Sequence, residues 1–216
     1  MSEFKTREQL AELVAADIPT GSVVNLGIGI PTLVSNFLKP EQEVILHTEN
    51  GMLVMGREAV GQEIDPDLIN AGKIPVIQMP GSSYFHHADS FAMMRGGHLD
   101  IAVLGAFQVS ETGDLANWHT GAPDAIPAVG GAMDLATGAK RIFIIMELTT
   151  KKGESKLVKE LTYPITGIGC VSRIYTEQAV FEIDKARGVL VRKLFGEASL
   201  ESLQNLTGLD FALELE

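Results

Sequence analysis

The chain has 216 residues, of which 45% are hydrophobic and 21% are charged, proportions typical of one folded globular domain. Seventeen Lys and Arg against 28 Asp and Glu give a net charge of −11, which disfavours nucleic acid and anionic lipid as partners because both would be repelled. The single cysteine, Cys170, excludes an internal disulfide and a cysteine-based zinc cluster. We therefore expect one domain over residues 1–216.

The first six residues contain no apolar core and no cleavage signature, so we expect no signal peptide. The longest apolar stretches, such as 101–107 and 142–146, are too short to span a bilayer. The expected compartment is the cytoplasm.

The first predicted element is a helix that begins after Thr6. Thr6 and Gln9 have the spacing of a capping box, and apolar residues follow at helical intervals. A turn then leads into a buried strand over residues 22–26. Pro31 is placed to be the first residue of a second helix, which we expect to reach Leu38.

Apolar runs further along the chain predict the other strands, and several are long enough to be buried on both faces of a sheet. These runs are 43–48, 76–79, 99–109 and 139–148, followed by a strand pair at 179–183 and 189–194. Two short helices are expected among them, one capped by Asp89 and one over 199–206. Alternating helices and buried strands predict an α/β fold with a mainly parallel sheet.

Glu49 is the most suggestive residue in the sequence. The strand at 43–48 would deliver it to its carboxyl end, which is where open α/β sheets place their ligands. Asn50 and Gly51 then predict a sharp turn, from which the carboxylate would project. A carboxylate in that place can act as a nucleophile or a general base. The alternative is a solvated glutamate at the start of a loop.

Two glycine segments could present backbone amides to a ligand. Gly27 and Gly29 lie between a predicted strand and a predicted helix, where an anion can bind. The third glycine of a dinucleotide fingerprint is absent, and a tight turn is the alternative. Gly130 and Gly131, just before Ala132, allow close backbone approach, and their amides could face a developing oxyanion. A turn or a packing contact is the alternative there.

The adjacent His86 and His87 could line an anion site at a helix N-terminus. They point in different directions on any regular element and so make a poor metal pair. Two hydrogen-bonding loop histidines are the alternative interpretation. Cys170 lies in an apolar run without an activating neighbour, which indicates an inert, buried thiol. No metal site is expected.

Several segments, in this order, resemble the β subunit of the family I coenzyme A-transferases, the 3-oxoacid CoA-transferases. The most specific of them are residues 23–32, 48–51, 67–73, 94–100 and 130–135. The resemblance covers nearly the whole chain, and Thr48 is a small departure, because many members have Ser there. Residues 85–91 and 115–121 favour the subfamily whose acceptor acid is 3-oxoadipate, an acid formed in the degradation of aromatic compounds.

The resemblance implies a three-layer α/β/α fold in a single domain and a nucleophilic role for Glu49. This carboxylate would take CoA from succinyl-CoA as a γ-glutamyl thioester and pass it to the acceptor in a ping-pong sequence. The backbone of Gly131 or Ala132, in the Gly130–Ala132 segment, would supply a CoA-site oxyanion donor. CoA esters would be substrates, and no further cofactor is implied.

The resemblance also implies a companion α subunit, since the family works as two subunits and its glycine-rich CoA-binding motif is absent from this sequence. The substrate-site candidates in this chain are Asn50, His86 and His87. Several functions remain open at this point. They are transfer to acetoacetate, another short-chain 3-oxoacid or butyrate, hydrolysis of acyl-CoA, and a regulatory subunit without activity. A sugar-phosphate isomerase is disfavoured because the sequence offers no basic cluster for a phosphate.

Overall fold

A computed structural model describes residues 4–122 and 124–216. The helices are α1 (Arg7–Asp17), α2 (His87–Arg95), α3 (Ala132–Gly138) and α4 (Leu200–Thr207). The strands are β1 (Val23–Leu26), β2 (Ile45–Thr48), β3 (Met52–Glu58), β4 (Val76–Tyr84), β5 (Ile101–Leu104), β6 (Gln108–Ser110), β7 (Leu115–Ala116), β8 (Arg141–Ile145), β9 (Leu157–Val158), β10 (Val171–Tyr175), β11 (Ala179–Asp184), β12 (Gly188–Leu194) and β13 (Ala212–Leu213). Short 3₁₀ helices lie at Ile30–Asn36, Pro40–Gln42 and Gly61–Glu63.

One large mixed sheet organises the described residues, with the strand order β13-β12-β11-β10-β8-β5-β1-β2-β3-β4. The five strands from β10 to β2 are parallel and form its middle. Antiparallel pairs extend the sheet on both sides, and the short edge strand β13 pairs with β12 in parallel. A smaller sheet joins β7, β6 and β9. The predicted α/β class is confirmed, with the parallel strands at the centre and antiparallel pairs outside.

Both faces of the large sheet are covered. In β5, Ile101 and Val103 belong to the hydrophobic cluster that contains α1. Ala102 and Leu104, on the opposite face, belong to the cluster that includes residues of α2, α3 and α4. Because side chains alternate along a strand, one apolar run supplies both layers. The chain therefore has helices on each side of the sheet, the three-layer arrangement.

Two predicted helices differ in detail from the structure. The segment after Pro31 is a 3₁₀ helix that ends at Asn36 and not a helix that reaches Leu38. Thr32 Oγ1 donates to the carbonyl of Gly29 at 2.7 Å, and side-chain bonds of this type compete with regular helix. The helix predicted to be capped by Asp89 starts earlier, at His87, and its cap is His86.

The strand predictions missed β3, the central strand β10 and several short strands, and they merged two others. The run at 99–109 is divided into β5 and β6, which join different sheets. The apolar residues of β3 do not alternate cleanly, and its pairing with β4 contains register shifts. Val54 within it has a φ of 61°, an uncommon value for a β-branched residue. Strands β7, β9 and β13 have only two residues each, too few to show an alternating pattern.

None of the helices in residues 4–122 and 124–216 combines the length and apolarity needed to cross a membrane.

Candidate functional site

Glu49 follows the last residue of β2 and stands in a turn between β2 and β3. The carbonyl of Thr48 accepts the amide of Gly51 at 3.1 Å, which closes this turn. Gly51 has a φ of 111°, and a Cβ at this position would overlap the carbonyl oxygen of Phe85. The turn therefore requires glycine after Glu49 and Asn50. It places Glu49 at the carboxyl end of a parallel strand, as predicted.

The Glu49 carboxylate lies against the backbone of Gly131. A Cβ built on Gly131 would overlap Glu49 Oε2 and would come within 3.3 Å of Cζ of Phe91. Within residues 4–122 and 124–216, no hydrogen bond or ion pair engages this carboxylate. Its oxygens are therefore not committed to a structural partner, which a nucleophile requires.

The amides around the double glycine differ in availability. The amide of Ala132 donates to the carbonyl of Val129 at 3.3 Å. The amide of Gly131 has no acceptor among the described residues, and Gly131 is the residue before the first turn of α3. Of the two donors predicted for an oxyanion, Gly131 is therefore the one left open.

A cavity of about 480 Å³ lies at the carboxyl ends of the parallel strands β2, β1, β5 and β8. This is the edge at which open α/β sheets bind ligands. Five of the predicted site residues line it: Gly27, Glu49, Gly130, Gly131 and Ala132. The structure thus brings together segments that are far apart in the sequence, and it does so around the Glu49 carboxylate.

The glycine turn after β1 lies at this cavity, but the amide of Gly27 makes a structural hydrogen bond there. The amide of Gly27 donates to the carbonyl of Val103 at 2.8 Å, so it is not available to an anion. Gly29, with a φ of 94°, is the residue before the 3₁₀ helix and is not among the residues that line the cavity. Here the turn holds β1 against β5 through the amide of Gly27, and the anion-binding hypothesis stays an untested prediction for Gly29.

The other substrate-site candidates lie outside the cavity lining. Asn50 donates through Nδ2 to the carbonyl of Ile69 at 2.8 Å and so ties the Glu49 turn to a neighbouring loop. The imidazole of His86 accepts the amide of Ala88 at 3.1 Å, where it occupies the position that an anion would take at the start of α2. The ring of His87 packs on Phe91, with ring centroids 4.6 Å apart. Their substrate roles stay predictions.

Residues 7–194 match the family model described as Coenzyme A transferase. The chain belongs to the coenzyme A transferase family. It is 61% identical over 203 residues to one of the subunits of 3-oxoadipate CoA-transferase from Pseudomonas putida KT2440, covering 94% of each chain. The corresponding subunit of 3-oxoadipate CoA-transferase from Acinetobacter baylyi is 58% identical, over 94% of this chain and 93% of its own.

A solved structure shares the fold of this coenzyme A transferase family member. It is an acyl-CoA transferase of Escherichia coli O157:H7, with a TM-score of 0.74 and 20% identity. The match covers 98% of this chain but 43% of that one, so the chain spans less than half the length of the solved protein.

Asn25, His47 and Ser90 form a buried polar network that ends at the residue before Glu49, and the sequence analysis did not predict it. Asn25 Nδ2 is 3.0 Å from His47 Nδ1, and His47 Nε2 is 3.0 Å from Ser90 Oγ. Ser90 Oγ in turn donates to the carbonyl of Thr48 at 3.0 Å. Asn25, His47 and Ser90 are 3%, 2% and 0% exposed. Polar residues inside two apolar strands were the available signal, because buried polar groups need partners.

Burial lowers the pKa of His47 to about 4, an effect that its hydrogen bond with Ser90 partly opposes. The imidazole is therefore neutral at physiological pH. Burial raises the pKa of the Cys170 thiol to about 11. The thiol therefore stays protonated at physiological pH, as expected of an inert cysteine.

Acidification should lower the free energy of unfolding of this chain, because the buried His47 resists protonation in the folded state. The pKa of His47 is about 4 in the folded chain against 6.5 when unperturbed, so between these values the unfolded state binds more protons. The contribution of His47 should fall by roughly 2 to 3 kcal/mol between pH 7 and pH 4.5. Thermal unfolding of wild type and His47→Gln over this range should show a steeper decline for the wild type. Parallel curves would contradict the assignment.

Two cationic side chains, Arg7 and Lys156, are among the residues that line the cavity. Arg7 is paired with Glu147 at 2.6 Å, and both line the cavity. Lys156 also lines it, and burial lowers the pKa of its ammonium group. Within the described parts of the chain, no three His, Cys, Asp or Glu side chains come together as ligands of a metal ion.

Proposed function

We propose that this chain is the glutamate-bearing β subunit of a CoA-transferase that moves CoA from succinyl-CoA to 3-oxoadipate. The observation that carries the reaction class is the Glu49 carboxylate, unengaged by other side chains and set against Gly131 in the cavity. The choice of acceptor rests on the two bacterial relatives, whose names give 3-oxoadipate and whose sequences align over 94% of this chain.

The proposed reaction needs a carboxylate because CoA is exchanged between two carboxylic acids without hydrolysis. Glu49 attacks the thioester carbonyl of succinyl-CoA, a carbon–oxygen bond forms, and CoA leaves as a thiolate. The thiolate then attacks the glutamyl carbonyl of this mixed anhydride and releases succinate, which leaves a γ-glutamyl-CoA thioester. 3-Oxoadipate attacks that thioester, and the same two steps in reverse release 3-oxoadipyl-CoA and the free carboxylate.

Each of these acyl transfers passes through a tetrahedral oxyanion. The open amide of Gly131, beside the Glu49 carboxylate, is the donor we assign to it. A preorganised donor of this kind contributes about 2.7–4 kcal/mol of transition-state stabilisation. A carboxylate nucleophile and amide donors supply the chemistry, so the proposal calls for no metal and no redox cofactor.

The acyl-enzyme must be protected from water, and this argues for a companion subunit. Three large apolar side chains that line the cavity remain exposed on this chain: Ile28 at 67%, Phe107 at 37% and Val129 at 40%. Covering them would remove apolar surface from water and close the cavity above Glu49. We propose that the α subunit provides this cover and the CoA-binding segment, in a cytoplasmic hetero-oligomer.

The acceptor carries a second carboxylate that needs donors or a cation inside the site. His86 and His87 are the candidates from the sequence, and their rings are engaged at the start of α2. Lys156 lines the cavity itself and forms no salt bridge within the described residues, although the charges of Glu147 and Glu177 partly offset the effect of burial on its pKa. It is therefore the side chain of this subunit that the geometry favours for that carboxylate.

The assembled pair of subunits should transfer CoA from succinyl-CoA to 3-oxoadipate in preference to acetoacetate. A hydrogen bond to a charged group contributes about 1.5–3 kcal/mol, so the ratio of kcat/KM should be roughly 10- to 150-fold. This chain alone should transfer none. Steady-state assays with each acid, with and without the companion, measure both expectations.

Three results would contradict the proposal. A preference for acetoacetate would assign the chain to a different acceptor. Release of CoA without any acceptor acid would indicate a hydrolase. Full turnover by the isolated chain would remove the need for a second polypeptide.

A further inference from the structure

We propose that His47 and Ser90 are positioning residues that hold the Glu49 turn in its reactive place through one directed chain of hydrogen bonds. The inference rests on the proposed function, in which Glu49 is the nucleophile. Neither residue lines the cavity, so both would act through the backbone that carries Glu49.

The number of hydrogens on each group determines which atom donates in every hydrogen bond of the network. Asn25 Nδ2 carries two hydrogens, and its neighbours are His47 Nδ1 at 3.0 Å and the carbonyl of His47 at 3.2 Å, both of which can accept. His47 Nδ1 is then an acceptor, so a neutral ring has its proton on Nε2 and donates to Ser90 Oγ. The hydroxyl of Ser90 is left to donate to the carbonyl of Thr48.

The network ends on the atom that defines the turn. The carbonyl of Thr48 accepts both the hydroxyl of Ser90 and the amide of Gly51, at 3.0 and 3.1 Å. Its peptide bond leads directly into Glu49. A shift of this carbonyl would therefore rotate the peptide plane that carries the nucleophile.

The same network joins α2 to the turn that carries Glu49. Ser90 lies on α2, and the next residue, Phe91, comes within 3.3 Å of the Cβ position of Gly131, on the oxyanion side of the site. His47 packs its ring against Phe85, with centroids 6.2 Å apart, just before α2. Within the described residues, no charged side chain bonds to His47. The turn and α2 are thus fixed to one another by neutral groups.

A merely structural role is the competing interpretation, and it predicts a loss of stability without a specific loss of turnover. Ser110 offers the matched control. It is 1% exposed, it bonds to the amide of Asp114 at 2.9 Å, and it lies on β6 away from the cavity lining.

The test uses the assembled two-subunit enzyme with Ser90→Ala, His47→Gln, His47→Leu and Ser110→Ala. We expect kcat to fall roughly 10- to 100-fold in Ser90→Ala and His47→Leu, because small misplacements of a reacting group cost rate. The KM values for both substrates should change less than about threefold, because neither residue contacts substrate. His47→Gln, which keeps a donor toward Ser90, should recover part of kcat, and Ser110→Ala should retain it.

A spectroscopic measurement on the wild-type complex tests the same inference without any substitution. ¹⁵N NMR of labelled histidine should show His47 protonated on Nε2 and unprotonated on Nδ1. Protonation on Nδ1 would overturn the inference even if every variant folds poorly. So would kcat values for Ser90→Ala and His47→Leu that equal that of Ser110→Ala.

Failure of the inference is distinguishable from failure of the proposed function by adding Glu49→Gln to the series. If Glu49→Gln is inactive while Ser90→Ala and His47→Leu turn over normally, the positioning role is wrong and the nucleophile stands. If Glu49→Gln is active, the proposed function is wrong.

Discussion

Replacing Glu49 by Gln in the assembled enzyme should lower kcat by at least about 10⁴-fold, because an amide is a poor nucleophile and no other group replaces a covalent catalyst. The amide has the shape of the carboxylate, so the packing against Gly131 should persist and the thermal midpoint should stay close to that of wild type. Steady-state transfer from succinyl-CoA to 3-oxoadipate measures the first effect, and thermal unfolding measures the second.

Glu58→Gln is the matched control for this change. Glu58 is the exposed last residue of β3, in the same hairpin as Glu49, and it does not line the cavity. Its variant should retain wild-type turnover. Activity of Glu49→Gln above background, with deamidation excluded by mass, would contradict the mechanism.

Adding one methyl group at Gly131 should lower kcat by roughly 10²- to 10³-fold. Gly131 has a φ of −87° and a ψ of 7°, which alanine tolerates, so the backbone itself would not be strained. The new Cβ would instead overlap Oε2 of Glu49 and displace the carboxylate from its position beside Gly131. Loss of a positioned donor costs about this much rate. Steady-state kinetics of Gly131→Ala check the prediction.

Gly208→Ala separates this effect from a general loss of stability. Gly208 caps α4 with a φ of 71°, and its Cβ would meet open space, so alanine there would be strained only in its backbone. We expect Gly208→Ala to lower the thermal midpoint and leave kcat unchanged. If Gly131→Ala also leaves kcat unchanged, the close packing of Glu49 against Gly131 is not required for the acyl transfers.

Four of the five parallel strands at the centre of the fold were predictable, because they lie in mainly apolar runs between turns. The fifth, β10, was not predicted, because Ser172 and Arg173 interrupt its apolar pattern. Residues 22–26 and 43–48 correspond to β1 and β2 almost unchanged. The hairpin of β3 and β4 was less accessible, since bulges and the unusual φ of Val54 interrupt the alternation on which strand prediction depends.

The position of Glu49 could be predicted from the sequence, because a strand that ends in Glu-Asn-Gly places a carboxylate in a turn at the sheet edge. Its apposition to Gly131 could not be derived from spacing, because the two are brought together only by the path of the chain from β2 to the start of α3. Family resemblance indicated both residues, and the structure adds that Gly131 leaves no room for a side chain beside Glu49.

The partners within the His47 network could not be paired from the sequence for a similar reason, although its buried polar residues were a signal. Its members come from β1, β2 and α2, and nothing in the sequence pairs Ser90 with His47. Of the conspicuous pair of loop histidines, His86 is the cap of α2, because its ring accepts the amide of Ala88. His47, a polar residue in a buried strand, was therefore a better indicator of the network than the adjacent pair His86 and His87.

In the proposed mechanism Glu49 carries CoA as a covalent thioester, and mass spectrometry detects this intermediate most directly. The assembled enzyme is incubated with succinyl-CoA without acceptor, quenched, and examined as the intact chain and as peptides. We expect this chain to gain the mass of CoA less one water, located on the peptide that contains Glu49, and to lose it when 3-oxoadipate is added. CoA attached to another residue, or an unmodified Glu49 in an enzyme that turns over, would contradict the account.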